Sequence, residues 1–169
     1  QSADQVGASW TDGAAPWNDS YVCSDGYYIN ICALEPKFYQ LLLERLGLTQ
    51  KGCFEHQWQE QSWSQARVAL SQKFASQTRH YWCGQLEGTD VCFAPVLNFT
   101  EATQHPHHRA RKNFIKLDGV TQPAPAPKMD HNQGLLNSVP RAGQDTADVL
   151  AQLGISPERI AQLRQDKVV

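Results

Sequence analysis

The stretch GYYINICALEPKFYQLLLERLG, residues 26–47, constrains the fold more than any other part of the chain. SDG at 24–26 is a turn signal, and the following YYINICA is aromatic and β-branched with few polar breaks, which predicts a buried strand. Pro36 suits the first turn of a helix, where its missing N–H costs nothing. Phe38, Leu41, Leu42 and Leu46 then recur at helical spacing until Gly47 supplies a stop. A strand that passes directly into a helix leaves one carboxylate, Glu35, at the junction.

The rest of the chain reads as α+β. Residues 1–12 are a small, polar lead-in without periodicity. A second helix is expected over about 64–76, with Ala66, Val68, Ala69, Phe74 and Ala75 as its apolar face. QTRHYWCGQLEG reads as a short helix capped by Thr78 and ended by Gly88. VCFAPVL, at 91–97, reads as a buried strand that Pro95 restricts to an edge or a bend. A further short helix is broken by Pro106, and FIKLDGVTQ forms two short strands around an Asp118-Gly119 turn. QPAPAPKMD cannot be helical, because alternating prolines remove donors and bias each preceding residue to an extended conformation. Beyond it, Val149, Leu150 and Leu153 mark one helix stopped by Gly154, and Ser156-Pro157 starts another with Ile160 and Leu163. The expected organisation is a lead-in at 1–12, a small α+β domain at 13–120, and a Pro/Ala connector with a helical tail at 121–169.

Composition narrows the function. With 15 Lys+Arg against 17 Asp+Glu the net charge is −2, so nothing draws the chain generally to nucleic acid or anionic lipid. No apolar run reaches the ~18–20 residues that span a bilayer, and QSADQVGASW lacks the basic and apolar regions of a signal peptide, so a cytoplasmic location is expected. The first residue is Gln and the only methionine is Met129, which suggests a piece of something longer. The five cysteines, Cys23, Cys32, Cys53, Cys83 and Cys92, form no CxxC pair and are expected as free, buried thiols. Cys32 and Cys92 in particular sit in apolar strands, where desolvation would raise the thiol pKa and disfavour a nucleophile.

His105, His107 and His108 cluster, but no Cys or carboxylate shares their segment at ligand spacing, so no metal site is assigned. The adjoining Arg109, Arg111, Lys112 and Lys116 read as a solvated face, with a phosphate-bearing ligand as the other reading. No nucleophile elbow and no phosphate-cradling glycine loop occurs. Glu35 supports two readings. Beside the first amides of a helix it can cap or stabilise the dipole, for about 0.3–1 kcal/mol. Spacing alone favours that role, but such a carboxylate can also orient and polarise an imidazole supplied from elsewhere.

Three segments taken together resemble a known family: GAAPWNDSYVCSDGYYINICALEPKFYQLLLERLGL, FASQTRHYWCGQLEGTDVCFAPVLNFTEATQHPHHRARKNFIKLDGVTQPAPAP and DTADVLAQLGIS. In order and spacing they are similar to the C-terminal half of the alpha-methylacyl-CoA racemases of the CaiB/BaiF group, also called family III CoA-transferases. The resemblance runs from about Gly13 to Ser156. It implies a chain about twice as long, whose N-terminal half carries most of a Rossmann-like large domain, the CoA-binding surface and the His and Asp that exchange the α-proton. This chain would be the small domain of that fold, with an extended and helical tail returning to the large domain.

The resemblance also implies an interlocked homodimer, an acyl-CoA thioester as substrate, and no cofactor beyond the CoA carried by the substrate. Glu35 matches the family's Glu before Pro, which hydrogen-bonds the catalytic His. Where many racemases have Phe-Tyr after the GAP motif, this chain has Trp17-Asn18. Those two residues would then face the acyl side, with Asn18 hydrogen-bonding where a phenol would; core packing is the other reading of Trp17. The transferase branch generally lacks the Glu, so Glu35 favours a racemase. A CoA-transferase that moves CoA between carboxylic acids is one alternative, and a non-catalytic fragment or interaction module is another.

Overall fold

The junction of strand and helix stands in the computed structural model of the chain, which describes residues 7–129 and 137–169. Helix α1 covers Pro36–Leu46, with Pro36 in its first turn and Gly47 ending it in the left-handed region at φ 65°. Tyr39, Leu42, Leu43 and Leu46 form its buried stripe. The chain divides into two compact units, 1–100 and 101–169. The expected boundary after residue 120 falls instead inside a hairpin of the second unit.

In the first unit, β1 (Asn18–Val22), β2 (Tyr28–Cys32) and β3 (Phe93–Pro95) make an antiparallel sheet in that order. The register pairs Asn18 with Cys32, Tyr21 with Ile29, and Ile31 with Phe93. Strand β2 corrects the sequence expectation. It is central in the sheet but only one face is covered: Ile29 and Ile31 are fully buried while Tyr28 is 51% exposed. Period-2 alternation therefore holds, and Cys32 points out with the exposed set.

Strand β1 was not anticipated, because NDSYV offers only Tyr21 as a buried residue and starts with poor strand formers. Pairing with β2 forms it, and Arg67 from the next helix pins it. The Arg67 guanidinium bonds the Asp19 carboxylate and donates to the carbonyls of Gly13 (2.5 Å) and Ala14 (3.1 Å). Strand β3 is an edge strand, as Pro95 demands, though shorter than the seven-residue run that suggested it.

Helix α2 runs over Glu60–Ala75, one turn earlier than expected, and buries Ala66, Ala69, Leu70 and Phe74. Val68 and Ala75, expected on its apolar face, are exposed. Helix α3 (Arg79–Leu86) begins with the Thr78 side chain accepting the Tyr81 N–H at 3.2 Å. Phe74 lies at the centre of this packing, 5.3 Å from both the Tyr21 and Trp82 rings. The lead-in is not detached over its described part: the Asp12 carboxylate accepts from the Gly7 and Ser9 amides, and the Trp10 ring lies 6.1 Å from that of Trp17.

The cysteines are all free, but Cys23 alone among them is buried. Cys32 is exposed and Cys92 is half-buried, which corrects their expected place in the core.

Helix α4 (Phe99–Gln104) spans the division between the units. Within the second unit, α5 (Pro106–Ala110) follows the break at His105-Pro106. β4 (Phe114–Leu117) and β5 (Val120–Pro123) pair around Asp118 and Gly119, both at positive φ, as the Asp-Gly turn predicts. Residue 130, the last of the proline-rich connector, lies outside the described residues. The two tail helices are present as α6 (Thr146–Gln152) and α7 (Pro157–Gln165), with Ser156 capping the second.

Candidate functional site

The residues between β2 and α1, Ala33 and Leu34, have neither sheet nor helix to absorb their carbonyls, and a third element supplies the donors. The side-chain amide of Gln57 gives one hydrogen bond to the Ala33 carbonyl and one to the Leu34 carbonyl, both 2.9 Å. On the amide side, Ala33 N–H donates to the Trp17 carbonyl at 2.9 Å and Cys32 N–H to the Cys92 carbonyl at 2.9 Å. Glu35 then takes an extended conformation (φ −76°, ψ 143°) as N-cap, and its carbonyl accepts the Phe38 and Tyr39 amides.

The Glu35 side chain makes no cap hydrogen bond. It is exposed, so its charge stands at the start of an eleven-residue helix without being spent on the helix amides. Its field reaches Cys92. Burial pushes the Cys92 thiol pKa up, and the Glu35 carboxylate, Cys32 and Asp90 add to that rise against the opposing Lys37. Cys92 is thereby held as a thiol rather than a nucleophilic thiolate, as desolvation predicts.

The three residues singled out by sequence meet at this corner of the first unit, but in different states. Trp17 is buried to 1% exposure, with its indole N–H on the Gln57 carbonyl at 3.1 Å. Its ring lies 4.8 Å from Trp58 and 6.3 Å from Trp63, which is the geometry of core packing. Asn18 is half-buried; it pairs with Cys32 across the sheet, and its side-chain amide donates to the Trp10 carbonyl at 2.9 Å. Glu35 is the one of the three with an exposed side chain.

Beside the start of α1 lies a cleft of about 460 Å³, lined by Pro36, Tyr39, Phe54, His56, Gln57 and Trp58 among others. Tyr39 hydroxyl donates to the Phe54 carbonyl at 3.2 Å, so one wall is fixed, while Trp58 is 51% exposed. Neither this cleft nor Gln57 was singled out from the sequence. One glutamine among several in EHQWQEQSWSQ carries no spacing signal.

In the second unit the histidines serve the local chain. His105 caps α5 by accepting the His107 N–H, and His108 Nδ1 shares a hydrogen bond with Asn113 at 2.9 Å. The Lys128 ammonium donates to the carbonyls of Arg111 and Lys112 at the end of α5. Among the described residues no three His, Cys, Asp or Glu side chains converge on a metal-sized point. Nor, among them, is any helix long and apolar enough to cross a membrane.

The family model of CoA-transferase family III matches residues 2–146. Alpha-methylacyl-CoA racemase of Mus musculus is 36% identical over 167 residues, 96% of this chain and 43% of that protein. The Homo sapiens protein of the same name is 33% identical over 166 residues, with the same two coverages. The chain thus spans less than half the length of these curated relatives. The crystal structure of Rv3272 from M. tuberculosis (orthorhombic form) matches with a TM-score of 0.61 at 21% identity, covering 77% of this chain and 37% of that one, a likeness of fold.

Proposed function

Because the chain belongs to CoA-transferase family III, we propose that it is the C-terminal portion of an alpha-methylacyl-CoA racemase, inactive by itself and completed by an N-terminal large domain within a homodimer. Its substrate would be a 2-methylacyl-CoA thioester, interconverted between R and S forms by exchange of the α-proton. The observation that carries the reading is the Glu35 carboxylate: it is exposed at the helix start, makes no cap bond, and falls within the region matched by the family model. The coverage of 96% of the chain by two proteins named as racemases supports it.

The chemistry follows from the thioester, whose carbonyl acidifies the adjacent C–H. A base on one face removes the proton and an acid on the other face returns one, so inversion requires two groups flanking one carbon. The His and Asp that do so lie in the other half by resemblance. Glu35 would accept a hydrogen bond from that His, fixing its tautomer and direction and favouring the imidazolium that forms on proton transfer. Asn18 and the Trp17 ring would back the acyl side. The thioester supplies the activation, and CoA enters as part of the substrate, so the reaction calls for no further cofactor.

The test uses the chain completed by its N-terminal half, given a single-enantiomer 2-methylacyl-CoA in deuterated water. Glu35→Gln should lower kcat by on the order of 10–10⁴-fold, the range spanned by groups that orient a catalytic ligand or histidine, with a much smaller change in KM. The 169-residue chain alone should incorporate deuterium no faster than buffer. Turnover by the chain alone, or full turnover in the Glu35→Gln enzyme, would remove the reading; CoA exchange between free acids without α-exchange would replace it with the transferase.

A further inference from the structure

We infer that Gln57 is the positioning residue for Glu35, acting through the backbone of the strand-to-helix junction; the inference rests on the catalytic reading of Glu35 given above. A side chain points where its Cα–Cβ bond points, and at Glu35 that direction is set by the peptides of Ala33 and Leu34. Their two carbonyls are the groups that secondary structure leaves over: β2 ends at Cys32, and Pro36 has no N–H to offer. The Gln57 amide nitrogen has two N–H donors, and it spends one on each carbonyl at 2.9 Å.

The anchor is itself held. Gln57 lies in the loop between the short 3₁₀ turn Gly52–Phe54 and α2, where no regular structure fixes it. Its backbone carbonyl instead accepts two indole N–H groups, from Trp17 at 3.1 Å and Trp63 at 2.9 Å. Four hydrogen bonds therefore converge on one residue, two incoming from the tryptophan cluster and two outgoing to the junction. The Trp17 carbonyl closes the circuit by accepting the Ala33 N–H. An uncharged amide suits this place, since it supplies donors without a charge that would compete with an imidazole for the carboxylate.

Gln57→Met keeps the length and the backbone carbonyl while deleting both donors. On the chain itself, backbone order parameters by NMR should fall at 33–35 and stay native in α1 and β2. In the enzyme completed by its other half, kcat should fall about 10–100-fold with KM nearly unchanged, the loss typical when an orienting partner is removed. In a Glu35→Gln background the same change should add little, because both act through one group. Gln57→Lys, which restores a donor, should recover order at 33–35 but not turnover, because its charge competes with the imidazole for the carboxylate, and its order at 33–35 carries the test if the Met variant does not fold.

Native order at 33–35 in the Met variant, a loss that multiplies fully with that of Glu35→Gln, or a Lys variant as disordered at 33–35 as the Met variant would each overturn the assignment. Glu35→Gln measured alone decides the racemase reading, whereas order at 33–35 decides Gln57, so the two fail separately.

Discussion

The two units of the chain hold themselves together by different means. Among the described residues, every buried member of the continuous apolar core lies in the first, from Ala15 to Val91, and that core joins sheet, helices and loops that are far apart in sequence. Past residue 100 the single buried apolar residue among those described is Ile160, while Val139 and Leu153 remain 75% and 72% exposed. What the second unit has instead is local: a hairpin on an Asp-Gly turn, caps from His105 and Ser156, and a lysine wrapped over a helix end. Nonlocal packing can set a carboxylate in one pose, whereas caps and turns shape a segment without fixing its surroundings.

The comparison breaks most readily at Phe74, which is fully buried between Tyr21 and Trp82. Phe74→Ala should cost about 3–5 kcal/mol of stability in urea unfolding followed by circular dichroism. Leu153→Ala should stay within about 0.5 kcal/mol. Equal losses would mean that the two units share one core.

Alkali sharpens the contrast next. The buried Cys23 thiol has its pKa pushed up from 9.0 to about 11, first by burial, and burial likewise raises the Tyr21 and Tyr39 phenols. A folded-state pKa above the unfolded one gives stability that is present below pH 9 and lost as pH rises toward 11. For Cys23 that is roughly 2–3 kcal/mol. Melting temperature measured from pH 8 to 11 should fall in wild type and fall less in Cys23→Ala, compared at equal starting stability.

Thr78→Ala, which removes the cap of α3, should cost about 1 kcal/mol. The smallest effect belongs to the second unit and lies at the opposite end of the pH scale. Glu158, fully exposed in the first turn of α7, has its carboxyl pKa lowered chiefly by the Ser156 hydroxyl. A lowered folded-state pKa gives stability that is present above the ordinary carboxylate range and lost as pH falls through the folded value. Amide shifts of α7 should therefore lose helicity in acid while those of α1 hold.

The same contrast explains what could be read in the sequence. Almost everything in the second unit was legible, because Pro106, Asp118-Gly119, Gly154 and Ser156-Pro157 act on their immediate neighbours. In the first unit α1 was legible for the same reason, and Glu35 with it. Strand β1 was not, since its formation depends on β2 and on Arg67 from another helix. The outward face of Cys32 was missed because an apolar run was read without its sheet. Trp17 and Asn18 stand out in the sequence, yet whether they face core or ligand is set by the tryptophans around them. Gln57 was invisible: its function lies in four partners more than five residues away.

The tryptophan cluster at the junction has an optical consequence. Trp10, Trp17, Trp58 and Trp63 sit together, and the fifth, Trp82, packs on Phe74; no Trp or Tyr occurs after Trp82. Intrinsic fluorescence is therefore a gauge of the first unit alone. A molecule settling beside Glu35 would quench or shift that emission without any added label. A fluorescence melt, however clean its single sigmoid, would pass over the chain beyond residue 100 in silence, whether that part had come apart earlier or not at all.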